Sequence, residues 1–341
     1  MKTVIKSWIK KKAELLNRKL EENILSDTSL KSQVVYGPVK SRRLGNIICI
    51  NNMKTKVCSY DCIYCASVNS GICSITPESE LSPYCLHLAV RKKCEEVEQN
   101  GIKTECIVFN GNCEPTLDIN LAKEILLLRE FGYKIAVFTN SSMLWNYNIR
   151  ENLMFADYVS IKLDTVNEET WYKLNRPHRK LNFNQILNGI KQFSEKYHGI
   201  LTTETTLVKN INDSPEEIDS LADFLKQLKQ EASYFTAPKY LPAIPYAVSP
   251  DKYRLQQICK IISDKIPGSM MLDCPEEDNF FATYDFENEL LGLISLHPVT
   301  VKAVYQFIRD SDNIDRLNSM LLAKKIKEIN VNGKEFFVRN C

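Results

Sequence analysis

The segment Cys58-Ser59-Tyr60-Asp61-Cys62-Ile63-Tyr64-Cys65 places three cysteines at positions i, i+4 and i+7 of one short loop. Three thiolates are one fewer than a closed tetrahedral zinc site or a fully protein-bound cubane requires. A [4Fe–4S] cluster held by three cysteines keeps one iron without a protein ligand, and that iron can bind a small molecule. The same spacing also permits a zinc site completed by a distant ligand, or three buried thiols.

The composition is that of a globular protein, with 44% hydrophobic and 25% charged residues in 341. This length suffices for one large α/β domain and a small appendage. No apolar run approaches the ~20 residues that a membrane span needs, and the lysines at positions 6 and 10–12 are unlike a secretory signal. The twelve cysteines are therefore expected to be reduced thiols of a cytoplasmic protein without a membrane partner.

Positive charge is concentrated in the first 43 residues, which hold eleven Lys and Arg and only four acidic residues. Residues 3–24 have the apolar periodicity of an amphipathic helix, so we assign residues 1–33 to a basic N-terminal helix. Its cationic side chains, which include Lys10, Lys11, Lys12 and Arg18, either contact RNA or another polyanion, or form the solvated face of the helix.

Between residues 34 and 250, short β-rich apolar runs alternate with helical stretches. The pattern predicts strands at 46–51, 105–110, 134–139, 158–163, 201–208 and 234–240, and helices at 83–99, 119–131, 184–196 and 215–229. Such alternation is typical of a parallel sheet, which binds its ligands at the carboxyl ends of the strands. The predicted fold class is therefore α/β.

The pattern changes after the prolines at 242, 245 and 250, and residues 251–283 read as a linker and a helix. Helices predicted at 286–296, 300–308 and 313–328, then a turn at 331–334 and a strand at 335–338, indicate a small α+β winged helix-turn-helix-like domain over residues 284–341. This domain has eight basic and eight acidic residues, so its net charge of zero leaves two roles open. The domain either binds nucleic acid, through Lys324, Lys325 and Lys327 on its third helix, or serves in packing and docking.

Polar residues follow three of the predicted strands. Gly111-Asn112-Cys113-Glu114 follows the second strand, and a glycine-kinked strand edge with a nearby acid suits an ammonium group. Asn140 follows the third strand, and Lys162 and Asp164 end the fourth. We expect these side chains to bind a cofactor or the substrate, because the carboxyl ends of parallel strands lie together. Cys73, Cys85, Cys94 and Cys106 are expected to be packed thiols.

These motifs resemble those of the radical S-adenosylmethionine (SAM) superfamily. The cysteine spacing, with the aromatic Tyr64 before its last cysteine, is similar to the family signature, and residues 111–114 are similar to its Gly-Gly-Glu element. The segments 36–45, 175–178 and 207–213 are similar to those of a group that includes the wybutosine-synthesis (4-demethylwyosine synthase-like) enzymes. Those enzymes hold a second cluster with further upstream cysteines, whereas only Cys49 precedes Cys58 here.

The resemblance implies a TIM-barrel-like oxidoreductase with a partial (β/α)6 barrel over residues 34–250. It implies that Cys58, Cys62 and Cys65 hold a [4Fe–4S] cluster and that SAM is bound by Tyr64, Gly111, Asn112, Glu114, Asn140 and Asp164. In that family the cluster reduces SAM to methionine and a 5′-deoxyadenosyl radical, which takes hydrogen from a substrate. An electron donor such as flavodoxin or ferredoxin is implied as a partner.

A macromolecular substrate, RNA or polypeptide, is expected because the chain adds a basic helix and a C-terminal domain to this core. The alternatives are a small-molecule radical SAM enzyme, and an Fe–S redox sensor that binds DNA through the winged helix. The candidate catalytic residues are Cys113, Lys162, Arg42 and His178. Lys162 could form a Schiff base or an ion pair. Each of the four also has a structural interpretation: a plain substitution, a lysine that caps the barrel mouth, a surface arginine and an exposed loop histidine.

Overall fold

The computed structural model of the protein describes residues 34–53, 56–65, 71–238, 244–272, 286–296, 298–308, 311–331 and 333–340. The predicted basic helix within residues 1–33, with Lys10, Lys11, Lys12 and Arg18, lies outside the described residues. So do residues 273–285, where the predicted linker meets the predicted C-terminal domain.

The described strands form one large and two small sheets. In chain order they are β1 (Val35–Ser41), β2 (Gly45–Ile50), β3 (Val57–Cys58), β4 (Ile72–Cys73), β5 (Cys106–Phe109), β6 (Lys134–Thr139), β7 (Tyr158–Lys162), β8 (Ile200–Thr206), β9 (Ala232–Thr236), β10 (Ser269–Met271), β11 (Val299–Thr300), β12 (Ile326–Val331) and β13 (Lys334–Arg339).

The described helices cover the large sheet or belong to the C-terminal part of the chain. They are α1 (Pro83–Gln99), α2 (Leu121–Leu128), α3 (Tyr147–Leu153), α4 (Glu168–Asn175), α5 (Phe183–Lys196), α6 (Pro215–Leu225), α7 (Lys252–Lys265), α8 (Phe286–Leu296), α9 (Val301–Phe307) and α10 (Ser311–Leu322), with short 3₁₀ helices at Pro115–Leu117 and Arg129–Phe131.

The large sheet has the strand order β1-β2-β5-β6-β7-β8-β9-β10. Every neighbouring pair from β2 to β10 is parallel, whereas β1 pairs antiparallel with β2. The predicted α/β class is confirmed, all six predicted strands are present, and the sheet has the arrangement of a partial (β/α) barrel. Strand β1 was not predicted, and it contains Gly37 and Pro38, two residue types that are uncommon inside strands. In the structure they lie in an irregularity of the β1–β2 register between Tyr36 and Val39.

The strands bury side chains on both of their faces. Alternate residues such as Ile48, Ile107 and Val159 pack with the surrounding helices, while Cys49, Val108 and residues of like parity form a separate cluster inside the barrel. The helices present matching apolar faces. In α5 these are Phe183, Ile186, Ile190 and Phe193, and the side chain of Asn182 caps the helix by accepting from the Gln185 N–H.

The C-terminal unit, residues 286–340, has its own core. Helices α8, α9 and α10 pack against a three-stranded antiparallel sheet of order β11-β13-β12, around Phe286, Leu290, Val304 and Phe337. Its assignment as a winged helix stays a prediction. The predicted third helix was too long: it ends at Leu322, Lys324 has a positive φ of 54°, and the chain continues as β12. Lys324 and Lys325 therefore lie after the end of the helix, and Lys327 lies in β12, where it pairs with Val338 of β13.

This unit packs on the barrel through α8. The Glu289 carboxylate, which is 5% exposed, accepts a hydrogen bond of 2.8 Å from the Gly37 N–H of β1. The same carboxylate forms an ion pair with the buried Lys93 of α1. Removing residues 286–340 would therefore take away one of the two carboxylates that pair with Lys93, and leave it with Glu96 of α1. Among the described residues, no helix has the length and apolarity to cross a membrane.

A buried polar cluster supports the turn that follows β5. The Asn52 amide donates hydrogen bonds of 3.4 Å to both Asp118 and Glu124, and all three side chains are fully buried. Burial raises the pKa of Glu124, and the negative charge of Asp118 raises it further. Glu124 therefore keeps its proton at pH values where an exposed glutamate has lost it.

Replacing Glu124 with Gln should make the stability of the protein less dependent on pH. An unfolded glutamate loses its proton near pH 4.5. The folded wild type holds the Glu124 proton above that pH, so its free energy of unfolding falls as pH rises toward the raised folded pKa, by up to about 1.4 kcal/mol per pH unit. Glutamine can accept the hydrogen bond from the Asn52 amide and does not titrate. Urea unfolding between about pH 5.5 and 8 measures this slope.

Glu169→Gln is the matched control, because Glu169 lies exposed on α4 beside Lys173. It should keep the wild-type dependence on pH. If Glu124→Gln also kept the wild-type slope, Glu124 would not hold a proton in the folded protein.

Candidate active site at the carboxyl ends of the barrel strands

Residues 58–65, the cysteine loop, are bound to the end of α4 by backbone hydrogen bonds. The Asp61 N–H donates to the Asn175 carbonyl and the Ile63 N–H to the Leu174 carbonyl, both at 3.0 Å. A further bond of 3.0 Å, from the Cys65 N–H to the Cys62 carbonyl, closes a turn between the last two cysteines. The loop geometry is therefore set by residues more than 100 positions later in the chain.

His178 belongs to the same anchor. Its backbone N–H donates to the Ser59 carbonyl at 2.9 Å, and its Nδ1 accepts a bond of 3.3 Å from the Lys180 N–H. The half-buried His178 thus lies beside the cysteine loop, where its backbone and ring both have structural partners. Its catalytic role stays a prediction.

Two of the three thiols accept hydrogen bonds from side-chain amides. Asn140 Nδ2 lies 3.3 Å from Cys58 Sγ, and Asn175 Nδ2 lies 3.4 Å from Cys62 Sγ. Burial raises the pKa of Cys58 to about 12, with a further contribution from Glu114, and burial likewise raises the pKa of Cys62. Thiols of this kind are neutral until a metal displaces the proton, and amide donors are typical partners of metal-bound sulfur.

This donor set fits an iron–sulfur cluster held by Cys58, Cys62 and Cys65. Among the described residues, no three or more His, Cys, Asp or Glu side chains form a group that could hold a metal ion by itself. In a cubane each thiolate binds a different iron, so the sulfurs need not converge on one point.

Glu114 joins the ends of β5 and β6. The carboxylate is 2% exposed; its Oε1 accepts from the Thr116 N–H and hydroxyl and from the Thr139 hydroxyl, at 3.2, 2.6 and 2.6 Å. Its Oε2 accepts a bond of 2.7 Å from the Asn140 N–H. Burial raises the pKa of Glu114 in spite of these donors. Because a carboxylate oxygen has two lone pairs, Oε2 retains capacity for one more donor.

Gly111, Asn112 and Cys113 surround the side chain of Asn51, at the end of β2. Asn51 Nδ2 donates to Asn112 Oδ1 at 3.1 Å, and the Cys113 thiol donates to Asn51 Oδ1 at 2.9 Å. A Cβ at position 111 would lie 2.1 Å from Asn51 Oδ1. The glycine is required here because the Asn51 amide packs directly against it.

Tyr64 and Asp164 contact each other across the mouth of the barrel. The Tyr64 hydroxyl donates to Asp164 Oδ2, which also accepts a bond of 2.8 Å from Asn175 Nδ2. The Thr206 N–H donates to Asp164 Oδ1 at 2.7 Å. Asp164 thus ties the cysteine loop to the ends of β7 and β8.

Three charged side chains, those of Lys162, Glu204 and Arg43, form a row inside the barrel, nearer to the amino ends of the strands than Asp164. Glu204 pairs with Lys162 at 3.0 Å and with Arg43 at 2.8 Å. Burial acts to raise the pKa of Glu204, but the charges of Lys162 and Arg43 outweigh it and bring that pKa down to about 2. Burial acts to lower the pKa of Lys162, and Glu204 and Asp164 reverse this and raise it. Lys162 is therefore an ion-paired cation.

Arg42, the candidate next to Arg43, points elsewhere. It is exposed, and its guanidinium donates to the Leu272 carbonyl at 2.5 Å. Of the two neighbouring arginines, Arg43 is the one that reaches the barrel interior. The prediction that Cys73 is a packed thiol was wrong: it is exposed on β4, beside Cys58 on β3, because β4 lies on the solvent side of this two-stranded sheet.

The structure thus gathers most of the predicted residues at one end of the barrel. Five positions that contribute here were not assigned to the site from sequence: Asn51, Ser59, Asn175, Glu204 and Asn212. Ser59 and Asn212 are buried polar residues, which bond to Asn140 and to the Asp164 carbonyl. Glu204 offered a signal, since a lone acid within the Thr-rich strand β8 is unusual.

Comparison with known proteins gives a consistent result. The family model described as the Radical SAM superfamily matches residues 53–225. UPF0026 protein MJ1312 of Methanocaldococcus jannaschii is 33% identical over 90% of this chain and 96% of its own length. The dual-specificity RNA methyltransferase RlmN of Lawsonia intracellularis is 26% identical over 60% of this chain and 58% of its own length.

Two solved structures share the fold. A radical SAM methyltransferase from Sphaerobacter thermophilus matches with a TM-score of 0.55 and 16% identity, over 67% of this chain and 66% of that one. TYW1 with a lysine-pyruvate adduct bound matches with a TM-score of 0.52 and 14% identity, over 65% of this chain and 75% of that one.

Replacing Cys62 with Ala should abolish cluster binding, because a cubane left with two thiolates has lost one of its three protein ligands. Iron and sulfide per chain after anaerobic reconstitution measure the effect. Cys73→Ser is the control, since its exposed thiol lies next to Cys58. Equal iron content in the wild type and Cys62→Ala would contradict the assignment.

Replacing Gly111 with Ala should destabilise the protein by about 1–3 kcal/mol, because the new Cβ overlaps the Asn51 side chain. Adding Asn51→Ala removes the two nearest obstructing atoms, Oδ1 and Cγ, so the double variant should lose less stability than the sum of the two single losses. Urea unfolding of the two single variants and the double variant measures the coupling. Simply additive losses would show that Asn51 is not what excludes a side chain at position 111.

Proposed function

The chain belongs to the radical SAM superfamily, and from this premise we propose that it is an enzyme that uses a 5′-deoxyadenosyl radical to take hydrogen from a macromolecular substrate, RNA ahead of polypeptide. Enzymes of this family use a [4Fe–4S] cluster and SAM. The observation that carries the proposal is the placement of Glu114: its buried carboxylate binds the Asn140 N–H, while the Asn140 side chain reaches Cys58.

Cys58, Cys62 and Cys65 are the proposed cluster ligands. When bound, the cluster supplies the electron that cleaves SAM to methionine and the radical. The protein holds these thiols in a loop clamped by residues 174–178 and supplies amide donors from Asn140 and Asn175. Such donors stabilise negative charge on sulfur and so influence the reduction potential.

The amino group of SAM is assigned to the end of β5. Glu114 Oε2 has capacity for one more donor, and the strand end at Gly111 and Asn112 offers backbone carbonyls within the same turn. An ammonium group there also gains from the negative charge of Glu114. Tyr64, Asn140 and Asp164 complete the proposed SAM site.

The substrate is assigned to the space between Lys162 and Glu204 and the carboxyl ends of the strands. Both charges are fixed by their mutual ion pair and by Arg43, so they can orient a polar group without moving. The raised pKa of Lys162 supports an electrostatic role rather than a nucleophilic one. Cys113 is held by Asn51 near the proposed ammonium site, and we assign it no chemistry.

RNA is preferred as the substrate class for two reasons. The first 43 residues carry a large excess of positive charge, which favours a polyanion. The RNA methyltransferase RlmN is similar over 60% of this chain. The electron donor is proposed to be a small redox protein of the flavodoxin or ferredoxin kind.

Reductive cleavage of SAM tests the proposal. The protein is reconstituted anaerobically with iron and sulfide, reduced with dithionite and given SAM, and 5′-deoxyadenosine is measured beside Cys62→Ala and Cys73→Ser. We expect product from the wild type and Cys73→Ser, and none from Cys62→Ala. A cluster-loaded protein that left SAM intact with every fraction added would favour the redox-sensor alternative.

The same assay identifies the substrate class. Cell extract is split into RNA, protein and low-mass fractions, and each is tested for stimulation. Stimulation on the order of tenfold that ribonuclease abolishes would support RNA, and stimulation that protease abolishes would support a polypeptide. Stimulation by the low-mass fraction alone would support a metabolite and contradict the preference for a macromolecule.

A further inference from the structure

We propose that Tyr36 is a positioning residue that couples the packing of helix α8 to the strand end assigned to SAM. The assignment of SAM to that strand end rests on the proposed function above, whereas the coupling rests on contacts of Tyr36 itself.

On one side, Tyr36 holds the end of β5. Its side chain is 1% exposed, and its hydroxyl donates a hydrogen bond of 2.6 Å to the Asn110 carbonyl. The Asn110 N–H donates to the Ile50 carbonyl at 3.0 Å, so residue 110 is the last one fixed by the sheet. Because the peptide unit is planar, a bond to the Asn110 carbonyl also fixes the direction of the Gly111 N–H.

On the other side, Tyr36 lies against α8. A Cβ on Gly292 would lie 2.9 Å from both Cβ and Cγ of Tyr36, so the helix surface approaches the tyrosine as closely as a glycine allows. One turn earlier on the same helix, Glu289 accepts from the Gly37 N–H and pairs with Lys93. Residues 36 and 37 are thus held between the C-terminal unit and the end of β5.

A displacement of α8 therefore has a direct route to residues 110 and 111. The tyrosine ring has no space to move toward Gly292, and its hydroxyl is committed to Asn110. The C-terminal unit then supports the strand end of the SAM site, besides any binding role of its own.

Tyr36→Phe tests this coupling with little change in packing, because the ring stays on Gly292. In the full-length protein, reconstituted anaerobically, the dissociation constant for SAM should rise about three- to tenfold, as the loss of one buried hydrogen bond implies. Amide hydrogen exchange without SAM should become faster in residues 106–112. Gly292→Ala, which crowds the ring from the helix side, should change both quantities in the same direction.

Tyr197→Phe is the matched control. Tyr197 is also buried, and its hydroxyl also donates to a backbone carbonyl, that of Ala156, at 2.8 Å, but at the amino ends of the strands. It should leave SAM affinity and the exchange of residues 106–112 unchanged. If Tyr36→Phe changes the SAM dissociation constant and the exchange of residues 106–112 no more than Tyr197→Phe does, the coupling is wrong. If the wild type does not bind SAM, the proposed function fails, and exchange in the SAM-free protein still decides the coupling.

Discussion

The buried carboxylate of Glu114 is the constraint on which the rest of the site depends. It collects donors from its own turn and from the end of the next strand, Thr139 and Asn140, so the tips of β5 and β6 cannot move independently. The side-chain amide of Asn140 in turn donates to Cys58 Sγ, so the cysteine loop is held by the same residue. Burying an unpaired carboxylate would be costly, and its four hydrogen bonds offset much of that cost. The cysteine loop is therefore positioned by the same charge that is proposed to attract the SAM ammonium.

The three segments that resemble the wybutosine-synthesis group all bear on this loop or on the strand ends beside it. Residues 175–178 anchor the loop through backbone bonds to Ser59 and Asp61. Asn212, in the segment 207–213, holds the carbonyls of Asp164 and Thr206. The segment 36–45 supplies Tyr36 and Arg43 to the barrel interior. A resemblance scattered along the sequence is thus contiguous in space.

The sequence predicted the parallel sheet, and most of the candidate site residues that it indicated lie together at the strand ends, because strand periodicity and residues at strand ends are local signals. The cysteine spacing and the turn at Glu114 could be read within a few residues. Contact partners that come from distant segments of the chain could not be predicted in this way. Asn51 and Asn175 act through contacts with Gly111 and Cys62, at sequence separations that no local pattern records. The end of α10 was misjudged because Lys324, Lys325 and Lys327 suit a helix end by composition, whereas the pairing with β13 begins at Ile326 and makes Lys327 part of a strand.

The β1–β2 hairpin has a consequence for the substrate that the barrel alone would not have. Arg43 enters the barrel from this hairpin, with its guanidinium 4.4 Å from the Phe138 ring centroid and 5.2 Å from that of Tyr234, and it binds Glu204. The interior is therefore filled below the row of Lys162 and Glu204, and a substrate group enters only from the carboxyl ends of the strands. A polymer cannot thread through such a barrel. If RNA is the substrate, as proposed, a single nucleotide has to leave its stack to reach the site, which favours unpaired or easily unpaired positions.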